Sequence, residues 1–266
     1  MDSRRHPASH PRHGRTVTRV TDSPRHPETF EALRKSARSL SRKTGRLAFG
    51  LPVAFAVNPL VHAHVPHERY LALARPGIDA LFLGMNPGPF GMVQTGVPFG
   101  EVDAVRRFLR IDGPVTAARS HPKRPIEGFA CRRSEVSGRR FWGLMEAAFG
   151  TRERFLARAF VHNWCPLAFM DDGGANVTPD SLPAKDRGEL TEACDEALRA
   201  VVAALQPRLV IGVGGFATAC ATRALRDDPP AFATILHPSP ASPAANRGWE
   251  RQAREQLNAC GFKLPA

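Results

Sequence analysis

From about residue 50 to the C-terminus, short apolar runs alternate with segments of helical spacing, and this alternation narrows the folds open to the chain. The strand-like runs cover 80–85, 159–162, 208–213 and 231–236. Helical spacing covers 102–109, 141–149, 182–205, 216–225 and 246–260. The longest helix starts near Pro183, which a first turn tolerates, and its acidic residues come early. Four strands separated by helices predict an α/β fold with a largely parallel sheet covered on both faces. In such a sheet a ligand sits outside the carboxyl ends of the strands.

The first strand runs into Leu83-Gly84-Met85-Asn86-Pro87-Gly88-Pro89-Phe90-Gly91-Met92, where glycine and proline dictate nearly every backbone angle. One polar side chain, Asn86, sits among them. The loop continues through Gln94-Thr95-Gly96-Val97-Pro98-Phe99-Gly100, which brings an aromatic ring near Asn86.

Two more polar residues follow predicted strands. Asn163 lies in Val161-His162-Asn163-Trp164-Cys165-Pro166, and His237 in His237-Pro238-Ser239-Pro240. Taken alone, Asn86 is ordinary turn chemistry, Asn163 a satisfied strand-end amide and His237 a structural histidine. Together they lie on one rim. A carboxamide can pair bidentately with an amide-like edge, and a neutral imidazole N–H can stabilise developing negative charge. Phe99 adds a flat apolar face, so the set reads as a nucleobase pocket. His162, one residue from Asn163, points to the opposite face of its strand and reads as structural.

The 266 residues, 42% of them hydrophobic, suffice for one sizeable domain plus a tail. No apolar run is long enough for a membrane span, and no secretory h-region is visible. Residues 1–50 hold 12 Lys/Arg against 4 Asp/Glu, so +8 of the net +12 lies there. Residues 1–45 therefore read as a basic, disordered arm and 46–266 as the folded domain. The scattered prolines of the arm argue against a long amphipathic helix. A basic arm suits a polyanion, although arginine-rich coding bias explains the charge equally well. The cysteines, Cys131, Cys165, Cys194, Cys220 and Cys260, are dispersed and form no Cys-x-x-Cys, so no metal site or cofactor is expected. Reduced thiols fit a cytoplasmic protein, nucleoid-associated in a bacterium or nuclear in a eukaryote.

At this point the chain resembles the single-strand-selective monofunctional uracil-DNA glycosylases, within the uracil-DNA glycosylase superfamily. The segments that carry the likeness are Gly84 to Met92, Gln94 to Glu101, His121-Pro122-Lys123-Arg124-Pro125, Ser134-Glu135-Val136-Ser137-Gly138, Val161-His162-Asn163 with Cys165-Pro166, and His237 to Pro240 with Ala245-Asn246 and Gly248-Trp249. The likeness runs from about Asn58 to near the C-terminus. It implies a three-layer α/β/α sandwich around a four-stranded, mainly parallel sheet, and hydrolysis of the N-glycosidic bond of uracil in DNA, with 5-substituted uracils such as 5-hydroxymethyluracil as further substrates. It also implies roles: Asn86 orients the attacking water, His237 stabilises the departing base, Asn163 reads the uracil edge, Phe99 stacks, and Met85 and Gly88 contact the base. DNA contacts fall to Gly173, Gly174, Asn176, Thr178, Lys185, Ser239, Pro240, Ala241, Asn246 and Arg247. The partner implied is DNA, single- or double-stranded, and the protein is expected to be a monomer that abstains from membranes.

Two departures stand out. Ala241 replaces an arginine that, in animal relatives, wedges into the duplex, and Ala175 replaces a basic residue. No lysine lies in the Asn86, Asn163 or His237 motifs, and after the arm only Lys123 (in His121–Pro125), Lys185 and Lys263 remain, so cleavage by a Schiff base is not expected. Other readings fare worse. A zinc deaminase needs His-x-Glu and Pro-Cys-x-x-Cys, both absent. Gly212-Val213-Gly214-Gly215 lacks the full dinucleotide fingerprint and reads as strand-end packing. The alternatives kept are a relative with a shifted base range, such as xanthine or hypoxanthine, and a catalytically weak DNA binder.

Overall fold

The computed structural model describes residues 24–265. Its centre is a four-stranded sheet of β2 (Ala80–Gly84), β3 (Ala159–Asn163), β6 (Leu209–Val213) and β7 (Ala231–Ile235). The spatial order is β3-β2-β6-β7 and every pairing is parallel. Every residue of β2 is buried, as a central parallel strand covered on both faces requires. The expectation of a three-layer sandwich around four parallel strands agrees with this architecture.

One layer holds α5 (Gly215–Ala224) against the sheet, with α4 (Ala184–Leu205) beside it and α1 (Pro27–Thr44) outside. The other holds α3 (Val136–Phe149) and α6 (Trp249–Ala259). The edge strand β3 is sealed by Tyr70, which lies on α2 (His64–Leu71). Its hydroxyl donates to the Val161 carbonyl at 2.9 Å and accepts from the Val161 N–H at 3.1 Å. Two backbone groups at a sheet edge are thereby satisfied by one fully buried phenol.

Several expectations need correction. Residues 27–44, assigned to a disordered arm, form α1. The prolines do not interrupt it: Pro24 precedes it and Pro27 occupies its first turn. Its Leu33, Ser36 and Leu40 are buried, and the Ser36 hydroxyl donates to Ala197 of α4. The basic residues lie on the opposite face, which is why composition alone hid the stripe. The part of the arm call over 1–23 lies outside the described residues.

A second sheet was also not expected. β1 (Phe55–Val57), β4 (Ala168–Met170) and β5 (Asn176–Val177) pair antiparallel in the order β1-β4-β5. The polar segment 171–178 is thus a hairpin. Its turn is closed by the Asp171 side chain, which accepts from Ala175 N–H at 2.8 Å, and by Gly174 at φ 81°. The helix expected over 102–109 begins as α-helix, then widens into a π turn over Val105–Leu109 that ends on Arg110 at φ 56°. The helix expected from 141 starts at Val136, and Pro183 caps α4 instead of opening its first turn. No helix among the described residues is long and apolar enough to cross a membrane.

Candidate active site

Because the sheet is parallel, Gly84, Asn163, Val213 and Ile235 end on the same edge. A cleft of about 490 Å³ opens there. Met85, Asn86, Gly88, Phe99, Asn163 and His237 all line it, and so do Asn176, Thr178, Ser239 and Pro240. Three segments far apart in the chain meet because each leaves the sheet at its carboxyl end.

The floor is built by exclusion. Gly84 faces Asn163 across β2 and β3, and a Cβ on Gly84 would lie 2.3 Å from Asn163 Oδ1 and 2.7 Å from Phe99 Cε2. Only glycine leaves room for both groups. Asn163 is 5% exposed, and its Nδ2 donates to Met92 Sδ at 3.3 Å, which fixes the plane of the amide. Phe99 adopts φ 53°, a backbone region that costs a bulky residue energy. Its ring stacks on Phe141 at 4.9 Å with 19° between planes, and its carbonyl accepts from Glu101 N–H at 2.8 Å. The surroundings hold the strained conformer, so the ring is in place before any ligand arrives.

Asn86 is anchored through one end. Its Nδ2 donates to the Leu167 carbonyl at 3.2 Å, while Oδ1 has no partner among the described residues. An acceptor held in this way can orient a water molecule, though it cannot take a proton from it with any strength. Opposite, the His237 ring lies 6.0 Å from that of Phe99. Burial pushes the imidazole down to about 4, so it is neutral at physiological pH and keeps one N–H to donate. A Cβ on Gly214, which adopts φ 94°, would lie 3.2 Å from His237 Cβ, and one on Gly212 would lie 2.1 Å from Thr218 Oγ1, so the Gly212–Gly215 run serves packing. His162 does not line the cleft. It is half-buried near His67, and desolvation holds it neutral down to about 3.

An early residue of α3 clamps the His237 loop. Arg140 donates to the Pro238 carbonyl at 3.1 Å and to Asn246 Oδ1 at 2.9 Å, and Asn246 donates to the Pro240 carbonyl at 2.8 Å. Asn246 therefore braces the His237 loop. Ala241 and Arg247 are exposed beside that rim. Gly173 and Gly174 sit in the β4–β5 turn: Lys123 Nζ donates to the Gly173 carbonyl at 3.2 Å, and His121 packs on Gly174. Lys185 does not share in the cleft. It lies in the first turn of α4 beside Gly50.

Two features went unread in the sequence. Glu135 lines the cleft with its carboxyl wedged between Gly88 and Gly91. Phe90, also in the lining, carries the guanidinium groups of Arg133 and Arg124 at 4.3 and 5.2 Å from its ring centre. Both belong to motifs visible in the chain, but only the fold brings them to the cleft. Among the described residues no group of His, Cys, Asp and Glu is arranged to hold a metal ion.

Comparison with known proteins identifies the family. Residues 72–258 match the model of the Uracil DNA glycosylase superfamily. The chain is 49% identical over 227 residues to the mouse (Mus musculus) single-strand selective monofunctional uracil DNA glycosylase, covering 84% of this chain and 81% of the mouse protein. Identity to the Bos taurus protein of the same name is also 49%, covering 84% of each chain. A solved structure, wild-type Pedobacter heparinus SMUG2, superposes with a TM-score of 0.57 at 17% identity, covering 84% of this chain and 96% of that one.

Proposed function

This chain belongs to the uracil DNA glycosylase superfamily, and we propose from that premise that it is a monofunctional DNA glycosylase that hydrolyses the N-glycosidic bond of uracil, leaving an abasic site for base excision repair. The observation that carries the reading is the meeting of Asn86, Phe99, Asn163 and a neutral His237 in one cleft. The target nucleotide leaves the stack and its base enters the cleft. Phe99 supplies a stacking face, and the Asn163 amide is offered to the donor–acceptor edge of the base.

As the bond breaks, its electron pair moves onto the base and is delocalised over the ring oxygens. His237 N–H is offered to the oxygen that gathers charge. The sugar becomes oxocarbenium-like, and a weak nucleophile suffices if it is well placed. Asn86 Oδ1, without another partner among the described residues, is the group offered to the water. No lysine lines the cleft, so no lysine amine is at hand for a Schiff base. Uracil and 5-substituted uracils such as 5-hydroxymethyluracil are the proposed bases, and DNA contacts are proposed for the rim residues Asn176, Thr178, Ser239 and Pro240.

The test is incubation with oligonucleotides bearing uracil, 5-hydroxymethyluracil, xanthine or hypoxanthine, single-stranded and paired. Expected are free uracil and alkali-labile strands that stay intact without alkali. Absence of base release from the uracil strands would overturn the reading, and scission without alkali would overturn monofunctional cleavage.

A further inference from the structure

Glu135 is the N-cap residue of α3, yet its side chain makes no capping bond. It turns instead into the loop that carries Asn86. A Cβ at Gly88 would lie 2.0 Å from Glu135 Oε2 and 2.4 Å from its Cδ, and a Cβ at Gly91 would lie 2.8 Å from Cδ and both oxygens. The carboxyl group thus fills the space that side chains at 88 and 91 would need. The two glycines and the glutamate specify one another. Glu135 Oε2 is also the one fully buried side-chain N or O atom without a hydrogen-bond partner among the described residues. Such deficits call for a reason, and functional sites are where they concentrate.

We propose that Glu135 is a positioning residue for the glycosylase reaction: its carboxyl group is a plug that sets the course of the Gly88–Gly91 backbone and, through Pro87, the aim of the Asn86 carboxamide. The inference rests on the function proposed above. The plug works by shape. Burial, with Glu101 nearby, pushes the carboxyl up to about 7 although the backbone N–H groups of Phe90 and Gly91 pull it back, so a neutral group of the same outline is a fair substitute. Gly88 and Gly91 are then tied into a turn, with the Gly88 carbonyl accepting from Val93 N–H at 3.2 Å and Gly91 N–H at 3.3 Å.

Two mild substitutions separate shape from charge. Glu135→Gln keeps the outline and removes the charge, whereas Glu135→Asp keeps the charge and withdraws the plug by one methylene. Single-turnover uracil release from a single strand is measured beside binding of the same strand bearing a tetrahydrofuran abasic analogue. Expected is a loss of about tenfold or more in rate for Glu135→Asp, recovery to within about threefold for Glu135→Gln, and analogue affinity within about threefold for both, because misplacement of a reacting group acts on rate. The inference is overturned if Glu135→Asp is as fast as wild type, if Glu135→Gln is the slower variant, or if rate and affinity fall together. A wild-type protein that releases no uracil would instead sink the function itself, so the two failures are told apart in one assay.

Discussion

Gly84 and Asn163 face each other on adjacent parallel strands, so closely that a methyl group on the first would lie 2.3 Å from Oδ1 of the second. Gly84→Ala must therefore displace Asn163, Phe99 or both. Overpacking of this kind typically costs about 1–3 kcal/mol. Urea denaturation should show that loss, and uracil release should fall by about tenfold or more as the floor of the cleft shifts. Full activity in a stable Gly84→Ala protein would remove the floor from the proposed site.

His237→Ala removes the donor offered to the leaving base. Losing one preorganised donor typically costs about 10²–10³ in rate. Single-turnover release should drop into or just below that range, while binding of an abasic-analogue strand is kept. A rate within about threefold of wild type would take His237 out of the mechanism.

Gln94 is fully buried and uses every bond it can make. Its Nε2 donates to the Pro89 and Pro125 carbonyls at 2.8 and 3.0 Å, and its Oε1 accepts from Glu127 and Gly128 N–H at 2.8 and 3.0 Å. One amide stitches the Asn86 loop to the segment before the 3-10 turn at Gly128–Ala130. Gln94→Leu fits the volume but strands four backbone groups. The loss should be at least about 2 kcal/mol in chemical denaturation, since each unpaired buried group costs about 1–3. A shift below about 0.5 kcal/mol would mean that water replaces the amide.

Stability should depend on pH in opposite senses at the two ends of the scale. His162 and His237 are held neutral down to about 3 and about 4, against 6.5 for an ordinary imidazole. The unfolded chain therefore takes up protons first, and stability present above 6.5 is lost as pH falls towards those values. Glu135 runs the other way. Its carboxyl is raised from 4.5 to about 7, so its contribution is complete below 4.5 and is lost as pH rises through 7. Melting curves from pH 4 to 9 should show the acid loss in wild type. Glu135→Gln should gain on wild type at pH 8 and not at pH 4.5. Parallel curves at all pH values would contradict the burial of Glu135.

Ala241 is exposed at the rim, where it offers no long side chain to take the place of a departing base. Extrusion from a duplex costs a few kcal/mol of unpairing and unstacking. Release should therefore be fastest from single strands, slower from U:G and slowest from U:A. Ala241→Arg should raise the U:A rate most. Equal rates on single strand and U:A duplex would refute the ordering.

Much of the site was legible because Asn86 and His237 follow strands of a parallel sheet and Asn163 ends one, and parallel strands end on one edge. Phe99 was legible as an aromatic in the same loop, though its φ of 53° was not. Glu135 was illegible because its part depends on two glycines in a distant loop, which sequence spacing does not reveal. The small antiparallel sheet escaped because strands of two or three residues are too short to show an alternating pattern. Lys185, expected among the DNA contacts, lies outside the cleft because α4 carries it to Gly50, a neighbourhood that spacing does not reveal.

The match to the superfamily begins at residue 72, downstream of α1. Yet Leu33 and Leu40 are 2% and 3% exposed, and α1 covers Ala193, Ala197 and Val201 of α4. The stretch matched by the superfamily model and the packed domain therefore have different edges, and the 227-residue match to the mouse protein starts well before residue 72. An affinity tag or fusion partner belongs ahead of residue 24. Cutting the chain at 46 would bare an aliphatic strip on α4, and the shortened protein should clump during purification even though every residue of the cleft is still present.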